Sequence, residues 1–443
     1  MKFEASVEYL YGLGNEVTTM KLGLDAVVSL LDALGRPDRK LVSIHVAGTN
    51  GKGSTCAFLA CILQRAGLRV GLYTSPHLMS PVERIKINGQ SVSEDDFGRL
   101  ITQARDAVER LLASGRLPGR PTFFEHLTAA AFSHFDEQGL DVVIAEVGLG
   151  GRLDATNVLA PAAAVITNIG EDHREWLGPT LAHIAREKAG IIKPGAPVYI
   201  ADTQPEEARR VLEQVAAEKG IAPAWVAPLS VVRRDATGRP WVSFDERLPS
   251  LRGREAALAL RGAHQAQNAA LAALVAQDHL RGRGFDEPAI GQAISLGLAE
   301  TDWPGRLQWL DGAPPVLLDG AHNPQGAQAL ARFLEAECNR RPVTAVFATL
   351  RDKPAVALMS PLAKVVDRLI LTEVAGQSRT TPRDQLEVMA LGYWLPSSVT
   401  QMPDAAAALA WARQATPPEG LIVVFGSIYL VGEVLGLLRD SAA

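Results

Sequence analysis

The sequence contains little cysteine, few aromatic residues and no excess of positive charge, and each shortage argues against a class of protein. Its 443 residues include three cysteines, which form no CxxC pair, so neither a disulfide scaffold nor a zinc site is expected. The formal net charge is -5 and the isoelectric point about 6.0, which argues against a nucleic-acid-binding protein. Aromatic residues make up 6% of the chain but apolar residues 47%, so a large core can be buried.

Long apolar runs are also missing. No run reaches the roughly 18 residues that a membrane-spanning helix needs, and the first residues show no basic and apolar targeting signal. We therefore expect a cytoplasmic protein with no membrane partner and no nucleic-acid partner. At about 100–200 residues per domain, the length allows two or three domains.

The stretch VAGTNGKGST, from residue 46 to residue 55, is similar to a phosphate-binding loop but has a different spacing. The usual loop has Gly, four residues, and then Gly-Lys followed at once by Ser or Thr. Here Val46 stands where the first Gly is expected, and the hydroxyl is delayed to Ser54. The stretch follows a predicted strand and precedes a predicted helix, where backbone N–H groups bind phosphate and a lysine neutralises its charge. The residues predicted to hold ATP phosphates are Gly51, Lys52, Gly53 and Ser54.

Short apolar runs rich in β-branched residues alternate with helical stretches along the chain, which is typical of α/β proteins with parallel sheets. The sequence predicts two domains. Residues 1–298 are expected to form a doubly wound, mostly parallel sheet that carries the P-loop-like ATP site. Residues 299–443 are expected to form a smaller, Rossmann-like α/β domain.

Polar residues follow several predicted strands of the first domain. Ser75 follows LRVGLYT, Glu146 ends the run DVVIAE, and His173 comes after AAAVITN. Because the carboxyl ends of parallel strands meet at one edge of a sheet, these side chains are expected near the phosphates. Mg²⁺ prefers oxygen ligands and few protein contacts, so Ser75 and Glu146 are predicted to hold one ion and His173 a second.

Further polar residues stand in apolar surroundings. Asn268 lies in an Ala-rich helical run, where Asn is slightly unfavourable and a partner for its side chain is expected. Arg306 could bind phosphate through two hydrogen bonds, although a structural salt bridge would explain it equally well. Asp319 ends a predicted strand, where a carboxylate could bind ribose or orient a base. Lys188 lies late in a predicted helix, where a lysine is favourable to the helix dipole, and the residues alone give it no further role.

The order of these motifs along the chain resembles that of one enzyme family. GTNGKGS, TSPHL, EVGLGGRLDATN, EKAGIIK, NAA, PGR, DGAHNP and GSIYLVGEV occur in this sequence from the N-terminus to the C-terminus. Together they resemble folylpolyglutamate synthases, including the bifunctional bacterial form that is also a dihydrofolate synthase, within the Mur ligase superfamily. The resemblance extends over nearly the whole chain.

The resemblance implies roles for matching residues. Lys188 matches a lysine that family members carry as a carbamate, and with Lys52 and His322 it is expected to be catalytic. His322 is expected to accept the amine proton or to position the nucleophile. The expected ATP contacts include Asn268, Arg306 and Asp319. The residues expected to hold the pterin substrate are Lys21, Leu22, Gly23, Leu24, Phe123, Phe124, Glu125, His126, Asp154, Ala155 and Thr156.

The implied reaction is ATP-dependent formation of an amide. ATP would phosphorylate a carboxylate of dihydropteroate or of a folate's glutamyl tail, and the amine of L-glutamate would displace phosphate. The expected cofactor is Mg²⁺, two ions per site, and the expected state is a monomer. Two alternatives stay open at this point: a Mur-type amino-acid ligase of peptidoglycan synthesis, and a P-loop ATPase that regulates a partner. KLGL and FFEH favour the folate enzyme over the first, and the lack of a coiled coil or basic surface disfavours the second.

Overall fold

A computed structural model describes residues 1–14, 23–235, 238–338 and 341–440 of the chain. These residues divide into two compact units. The first consists of Met1–Ser230, Val242–Ala257 and Ala266–Thr301, and the second of Val231–Trp241, Leu258–Gln265 and Asp302–Ala443. The expected limits of the domains, 1–298 and 299–443, stay a prediction.

The first unit is built on an eight-stranded sheet, in the order β4-β3-β2-β5-β1-β6-β7-β8. The six strands from β2 to β8 in this order are parallel, and β3 and β4 add an antiparallel edge. The expected mostly parallel sheet is therefore confirmed. Its strands are β1 (Ser43–Ala47), β2 (Val70–Tyr73), β3 (Ile85–Ile87), β4 (Gln90–Ser91), β5 (Val142–Glu146), β6 (Ala163–Ile166), β7 (Val198–Ala201) and β8 (Ala224–Val226).

Helices lie between these strands, and their ends follow from local sequence. Thr122 and Glu125 form a capping box at the start of α5, and Gly139 ends the same helix in the left-handed conformation. Ser93 caps α4 by accepting from the backbone N–H of Asp96. The helices are α1 (Phe3–Gly12), α2 (Asp25–Ala33), α3 (Lys52–Arg65), α4 (Glu94–Ala113), α5 (Phe123–Gln138), α6 (Arg174–Leu177), α7 (Leu181–Lys188), α8 (Glu206–Glu218), α9 (Gln265–Gly282) and α10 (Glu287–Glu300).

The sheet is covered on both faces, as its continuous apolar strands require. One core packs Tyr73 and Val143 of the sheet against α2, α4 and α5. A second core packs Ala164 and Ile166 against α7 and α8. Buried strands covered on both faces hold the loops at their carboxyl ends in fixed positions.

The second unit contains a six-stranded sheet in the order β12-β13-β17-β14-β15-β16, parallel except for the edge strand β12. Three short strands precede it in the chain: β9 (Ser230–Arg234), β10 (Pro240–Ser243) and β11 (Glu255–Ala257). The strands of the larger sheet are β12 (Gln308–Leu310), β13 (Val316–Leu318), β14 (Val343–Phe347), β15 (Arg368–Leu371), β16 (Val399–Gln401) and β17 (Leu421–Phe425). The helices of this unit are α11 (Pro324–Cys338), α12 (Ala355–Met359), α13 (Arg383–Ala390), α14 (Ala405–Ala415) and α15 (Ile428–Asp440).

None of the helices within the described ranges has the length and apolar character needed to cross a bilayer.

Candidate functional site

The Gly-rich loop connects β1 to α3 at the carboxyl edge of the first sheet. Gly48 and Gly51 both have positive φ, of 152° and 89°, which favours glycine. A Cβ on Gly51 would lie 2.4 Å from the side-chain oxygen of Asn268, so this side chain lies directly against the loop. The predicted partner of Asn268 is therefore the loop itself. Lys52 begins α3, and Ser54 is buried in its first turn.

Hydrogen bonds to the end of β6 hold the loop in shape. The backbone N–H of Thr49 donates to the carbonyl of Asn168 at 2.7 Å, and that of Asn50 donates to the Asn168 side chain at 3.0 Å. The Thr167 hydroxyl donates to the Asn50 carbonyl at 2.8 Å. The loop is thus preorganised, as anion binding by backbone N–H groups requires. The ammonium of Lys52 donates to the Thr49 carbonyl at 3.3 Å, which keeps it beside the loop.

Ser75 and Glu146 are brought together because β2 and β5 are neighbours. The backbone N–H of Ser75 donates to the Glu146 carboxylate at 3.3 Å, and Glu146 is buried. A hydroxyl and a carboxylate are oxygen donors of the kind that Mg²⁺ takes, and it commonly needs only one or two from the protein. Within the described part of the chain, no group of three or more His, Cys, Asp or Glu side chains forms a metal cluster. Ser75 and Glu146 therefore do not resemble a metal site whose ligands all come from the protein.

His173 follows β6 on the same edge of the sheet. It has a positive φ of 50°, and its backbone N–H donates to the carboxylate of Asp172 at 3.0 Å. Its ring nitrogen Nε2 lies 3.8 Å from the same carboxylate. The structure places His173 and Asp172 side by side. The sequence predicts both at this edge of the sheet, because both follow the strand that ends at Asn168, but it assigns a ligand role to His173 alone.

Lys188 is a buried lysine, and its ammonium donates to the carbonyl of Gly48 at 2.8 Å. The pKa of Lys188 is lowered to about 7, mainly by burial and also by the charge of Lys52, whereas Asp172 and Asp154 act in the opposite direction. Lys188 therefore lies at the Gly-rich loop and not on the surface. It does end α7, as expected, but a favourable position in the helix dipole does not by itself account for its burial against this loop.

Close backbone approach sets the position of Lys188. A Cβ on Gly190 would lie 2.4 Å from the Cα of Arg152, and one on Gly151 would lie 2.9 Å from the Lys188 carbonyl. The backbone N–H of Arg152 donates to the Glu187 carbonyl at 2.8 Å. The loop after β5 thus lies directly on the C-terminal end of α7.

Asp154 closes this loop on itself. Its carboxylate accepts from the backbone N–H groups of Leu149 at 2.8 Å and Thr156 at 3.0 Å, and from the Thr156 hydroxyl. Burial raises the pKa of Asp154, and these hydrogen bonds oppose the rise. Ala155 and Thr156 are buried within the same turn. The Thr156 hydroxyl bonds inside the protein, to Asp154 and His45.

The four residues of FFEH differ in what they offer. Phe123 is 1% exposed and packs beside Tyr11 in the core. Phe124 is only partly buried, and its ring lies over Gly148, where a Cβ would be 2.6 Å from the ring. Glu125 accepts from the N–H and hydroxyl of Thr122 as a helix cap. His126 is fully buried and bonds to the Thr122 carbonyl and the Tyr9 hydroxyl.

The KLGL stretch is described only in part. Lys21 and Leu22 lie outside the described residues. Gly23 and Leu24 directly precede α2, and Leu24 packs against the core that contains Phe123.

In the second unit, Asp319 joins two loops. Its carboxylate accepts from the backbone N–H of Leu307 at 2.8 Å and of Ala321 at 3.0 Å. Burial raises the pKa of Asp319, and the charge of Arg306 opposes the rise. The Arg306 guanidinium lies against Gly320, where a Cβ would be 2.3 Å from Nη1. Arg306 and Asp319 are therefore neighbours. Two residues that contact the same ATP molecule would need to lie close together in this way.

His322 follows in the same loop, and its Nδ1 bonds to the Gly320 carbonyl at 2.8 Å. A carbonyl only accepts, so Nδ1 carries the proton of the neutral ring. Nε2 is then the basic nitrogen, which is the arrangement that a proton acceptor needs.

Two further buried histidines lie in the first unit. The position of His77 after the predicted strand LRVGLYT favours the carboxyl edge of the sheet, whereas the sequence reasoning gave His45 no role. His77 accepts from Arg84 at its Nδ1 (2.8 Å) and bonds to the Tyr11 hydroxyl through Nε2 (3.3 Å). His45 lies in the middle of β1 and bonds to Thr156 at 2.7 Å. A histidine inside the apolar run LVSIHV was the available signal for His45, since a buried imidazole needs a partner.

Two family models match most of the chain. The Mur ligase middle domain matches residues 46–276, and the dihydrofolate synthetase C-terminal domain matches residues 308–437. The first match includes the ATP loop, Glu146 and Lys188, and it defines an ATP-dependent ligase.

Individual relatives narrow the class. The chain is 34% identical over 422 residues to the dihydrofolate synthase/folylpolyglutamate synthase of Bacillus subtilis, covering 95% of this chain and 96% of the relative. It superposes on Escherichia coli FolC in complex with DHPP and ADP with a TM-score of 0.84 and 31% identity, covering 100% and 99% of the two chains. For the Mycobacterium tuberculosis folylpolyglutamate synthase complexed with ADP, the TM-score is 0.86 at 32% identity, covering 98% of each chain.

The chain belongs to the family of dihydrofolate synthases and folylpolyglutamate synthases, which are ATP-dependent ligases. The resemblance seen in the sequence is confirmed, as are the two-domain α/β fold and ATP as a substrate. The relatives support neither of the alternatives, the peptidoglycan ligase or the regulatory ATPase.

Proposed function

We propose that this enzyme is bifunctional and adds L-glutamate both to dihydropteroate and to the glutamyl tail of reduced folates. The Bacillus subtilis and Escherichia coli relatives carry both activities in their names. The observation that carries the proposal is the position of Phe124 over Gly148, beside the loop that Asp154 closes. A partly exposed ring next to backbone donors and acceptors suits a flat, polar pterin.

The reaction begins with phosphoryl transfer from ATP to the substrate carboxylate. The loop from Gly51 to Ser54 binds the phosphates through backbone N–H groups, and Lys52 adds positive charge where the transferring group is most negative. Asn268 holds the loop from the side. Arg306 and Asp319 are the proposed contacts from the second unit, with Arg306 on phosphate and Asp319 on ribose.

The second half of the reaction is attack by the amine of L-glutamate. The amine nitrogen bonds to the carbonyl carbon of the acyl phosphate, the bond to the phosphate oxygen breaks, and inorganic phosphate leaves. The amine must lose a proton, and Nε2 of His322 is the proposed acceptor.

Mg²⁺ fits the donors found here, with Ser75 and Glu146 as proposed ligands of one ion and His173 of another. When bound, the ions would neutralise phosphate charge. Lys188 is proposed to be carbamylated, because its lowered pKa leaves much of the amine neutral near pH 7 and able to react with CO₂. The product is an anion, which a site with Lys52 and a bound cation would accept.

Steady-state assays of the purified protein test the proposal. Dihydropteroate, ATP, Mg²⁺ and L-glutamate should give a product one glutamyl residue heavier, and a reduced folate should be extended under the same conditions. Lys52→Ala should lower both rates about 10²–10³-fold, as loss of a transition-state contact does. Extension of folates with no product from dihydropteroate would leave only the polyglutamate activity.

A cytoplasmic location and a monomeric state also stay predictions. Cell fractionation and light scattering of the purified protein would test them.

A further inference from the structure

A buried chain of three side chains joins β1 to the loop that follows β5. His45 and Thr156 are both 0% exposed, and His45 Nε2 lies 2.7 Å from the Thr156 hydroxyl oxygen. That hydroxyl in turn donates to the Asp154 carboxylate, which is itself buried.

The chemistry of the three groups fixes the direction of each hydrogen bond. The Asp154 carboxylate accepts, so the single hydroxyl proton of Thr156 goes to Asp154. The oxygen of Thr156 can then only accept from His45, so Nε2 of His45 must carry the proton. Nδ1 of His45 is unprotonated, and within the described residues it has no hydrogen-bond partner. Burial lowers the pKa of His45 to about 3, which keeps the ring neutral.

Strand β1 contacts two parts of the proposed active site: the turn at Asp154 and the Gly-rich loop. Through Thr156 and Asp154, His45 holds the turn whose backbone also bonds to Asp154 at Leu149. Three residues beyond His45, the Gly48 carbonyl accepts the hydrogen bond from Lys188. Hydrogen bonds therefore connect β1 to residues 154–156, which are proposed to hold the pterin, and connect the Gly-rich loop directly after β1 to Lys188.

We propose that His45 is a positioning residue for the pterin substrate. By donating to Thr156, it fixes the hydroxyl and the Asp154 carboxylate, and with them the backbone of residues 154–156. The inference rests on the proposed role of this segment in holding the pterin. It predicts that the affinity for pterin substrates depends on the Nε2–H group of His45 as a hydrogen-bond donor, and not only on the volume of the side chain.

The test compares variants that remove the donor with one that removes a buried histidine elsewhere. His45→Leu replaces the imidazole with an apolar side chain that has no hydrogen-bond donor. Thr156→Val keeps the shape of threonine without its hydroxyl. Each should raise the KM for dihydropteroate about tenfold, the change that roughly 1.4 kcal/mol produces, with the KM for ATP changed less than about twofold. The KM of the double variant for dihydropteroate should be no higher than that of the more impaired single variant, because both substitutions break the same series of hydrogen bonds. Thr156→Ser, which keeps the hydroxyl, should have a KM closer to the wild type than Thr156→Val has.

His134→Leu is the matched control, because His134 is buried in α5 among Asp96 and Glu137, far along the helix from FFEH. It should lower the melting temperature without separating the two KM values. The inference is overturned if His45→Leu changes both KM values equally or neither, or if the single effects add in the double variant.

A second measurement needs no active variant. In protein labelled with ¹⁵N-histidine, the His45 ring should be a neutral Nε2–H tautomer that does not titrate down to about pH 5, given its buried, uncharged state. A ring protonated at Nδ1 would overturn the inference. If the wild type uses reduced folates but not dihydropteroate, bifunctionality fails, while the same comparison with the folate KM still tests His45.

Discussion

Lys188 and Gly48 are joined by a hydrogen bond of 2.8 Å from the side-chain amine to the backbone carbonyl. The bond connects the end of α7 to the first residue of the ATP loop, 140 positions apart in the chain. It places the amine against the loop that is proposed to bind the ATP phosphates. Because the amine is buried next to Lys52, a negative group at this position would be more favourable than a second ammonium.

We predict that Lys188→Ala loses about 10²–10³-fold in turnover and that a small carboxylate such as acetate restores part of it. The nearby Lys193→Ala is the control, because Lys193 donates to the Asn157 carbonyl and lies outside the ATP loop. Density for an uncarbamylated ammonium at position 188 in a fully active crystal would contradict the carbamate.

The pH dependence of Lys188 follows from its lowered pKa. After acid treatment to remove a carbamate, reactivation at a fixed concentration of dissolved CO₂ should be faster at pH 8 than at pH 6. The neutral fraction of an amine with a pKa of about 7 rises from about 10% to about 90% over that range. For the unmodified lysine, the folded pKa lies below the unfolded value, so its contribution to stability rises with pH from about 7 toward 10.5. Reactivation that is independent of pH would contradict this assignment.

The pterin site predicts different outcomes for two adjacent phenylalanines. Phe124→Leu should raise the KM for dihydropteroate several-fold, since an aromatic contact contributes about 0.5–1.5 kcal/mol, with little change in the KM for ATP. Phe123→Leu should instead lower the melting temperature, because Phe123 is a core residue. Thermal melts and steady-state kinetics on both variants would check this. The reverse pattern would move the pterin contact to Phe123.

The close contact between Gly190 and Arg152 leaves no room for a methyl group at position 190. Gly190→Ala would place Cβ 2.4 Å from the Arg152 Cα, so backbone must move and Lys188 moves with it. We expect a loss of about 1–3 kcal/mol in the free energy of unfolding, together with lost activity. Gly282→Ala is the control, because no atom lies within 4 Å of its added Cβ. Equal urea midpoints for the two variants would contradict the close contact.

Arg306 can be displaced without changing its charge. Gly320→Ala would place Cβ 2.3 Å from Nη1 of Arg306, and the end of a flexible side chain can move away without disturbing the fold. We expect kcat/KM for ATP to fall about tenfold at an unchanged melting temperature, which corresponds to roughly 1.4 kcal/mol. In an Arg306→Ala background, Gly320→Ala should cause no further loss. A full additional loss there would show that Gly320 acts by another route.

Much of this architecture could be predicted from the sequence, because its signals are local. The apolar run before GTNGKGS and the Gly-free segment after it predict a strand and a helix, and parallel strands bring Ser75 and Glu146 to one edge. The TxxE spacing of Thr122 and Glu125 is also typical of a capping box, so the cap role of Glu125 could have been predicted, although the sequence analysis did not do so.

Other features depend on packing across long distances in the chain. Phe123 and Phe124 are adjacent and chemically identical, and only the tertiary contacts show that Phe124 lies over Gly148 while Phe123 fills the core. The burial of Lys188 depends on the loop at Gly151, and the partner of His45 lies 111 residues away. No local pattern carries this information.

The measurement that tests the account most directly follows the oxygen atoms of the substrate carboxylate. Dihydropteroate labelled with ¹⁸O in its carboxylate is converted with ATP and L-glutamate, and the released phosphate is analysed by mass spectrometry. If ATP phosphorylates the carboxylate before the amine attacks, each phosphate carries one oxygen from the substrate. Product formed with phosphate that contains no ¹⁸O would contradict an acyl phosphate, and with it the roles proposed for Lys52, Lys188 and Arg306.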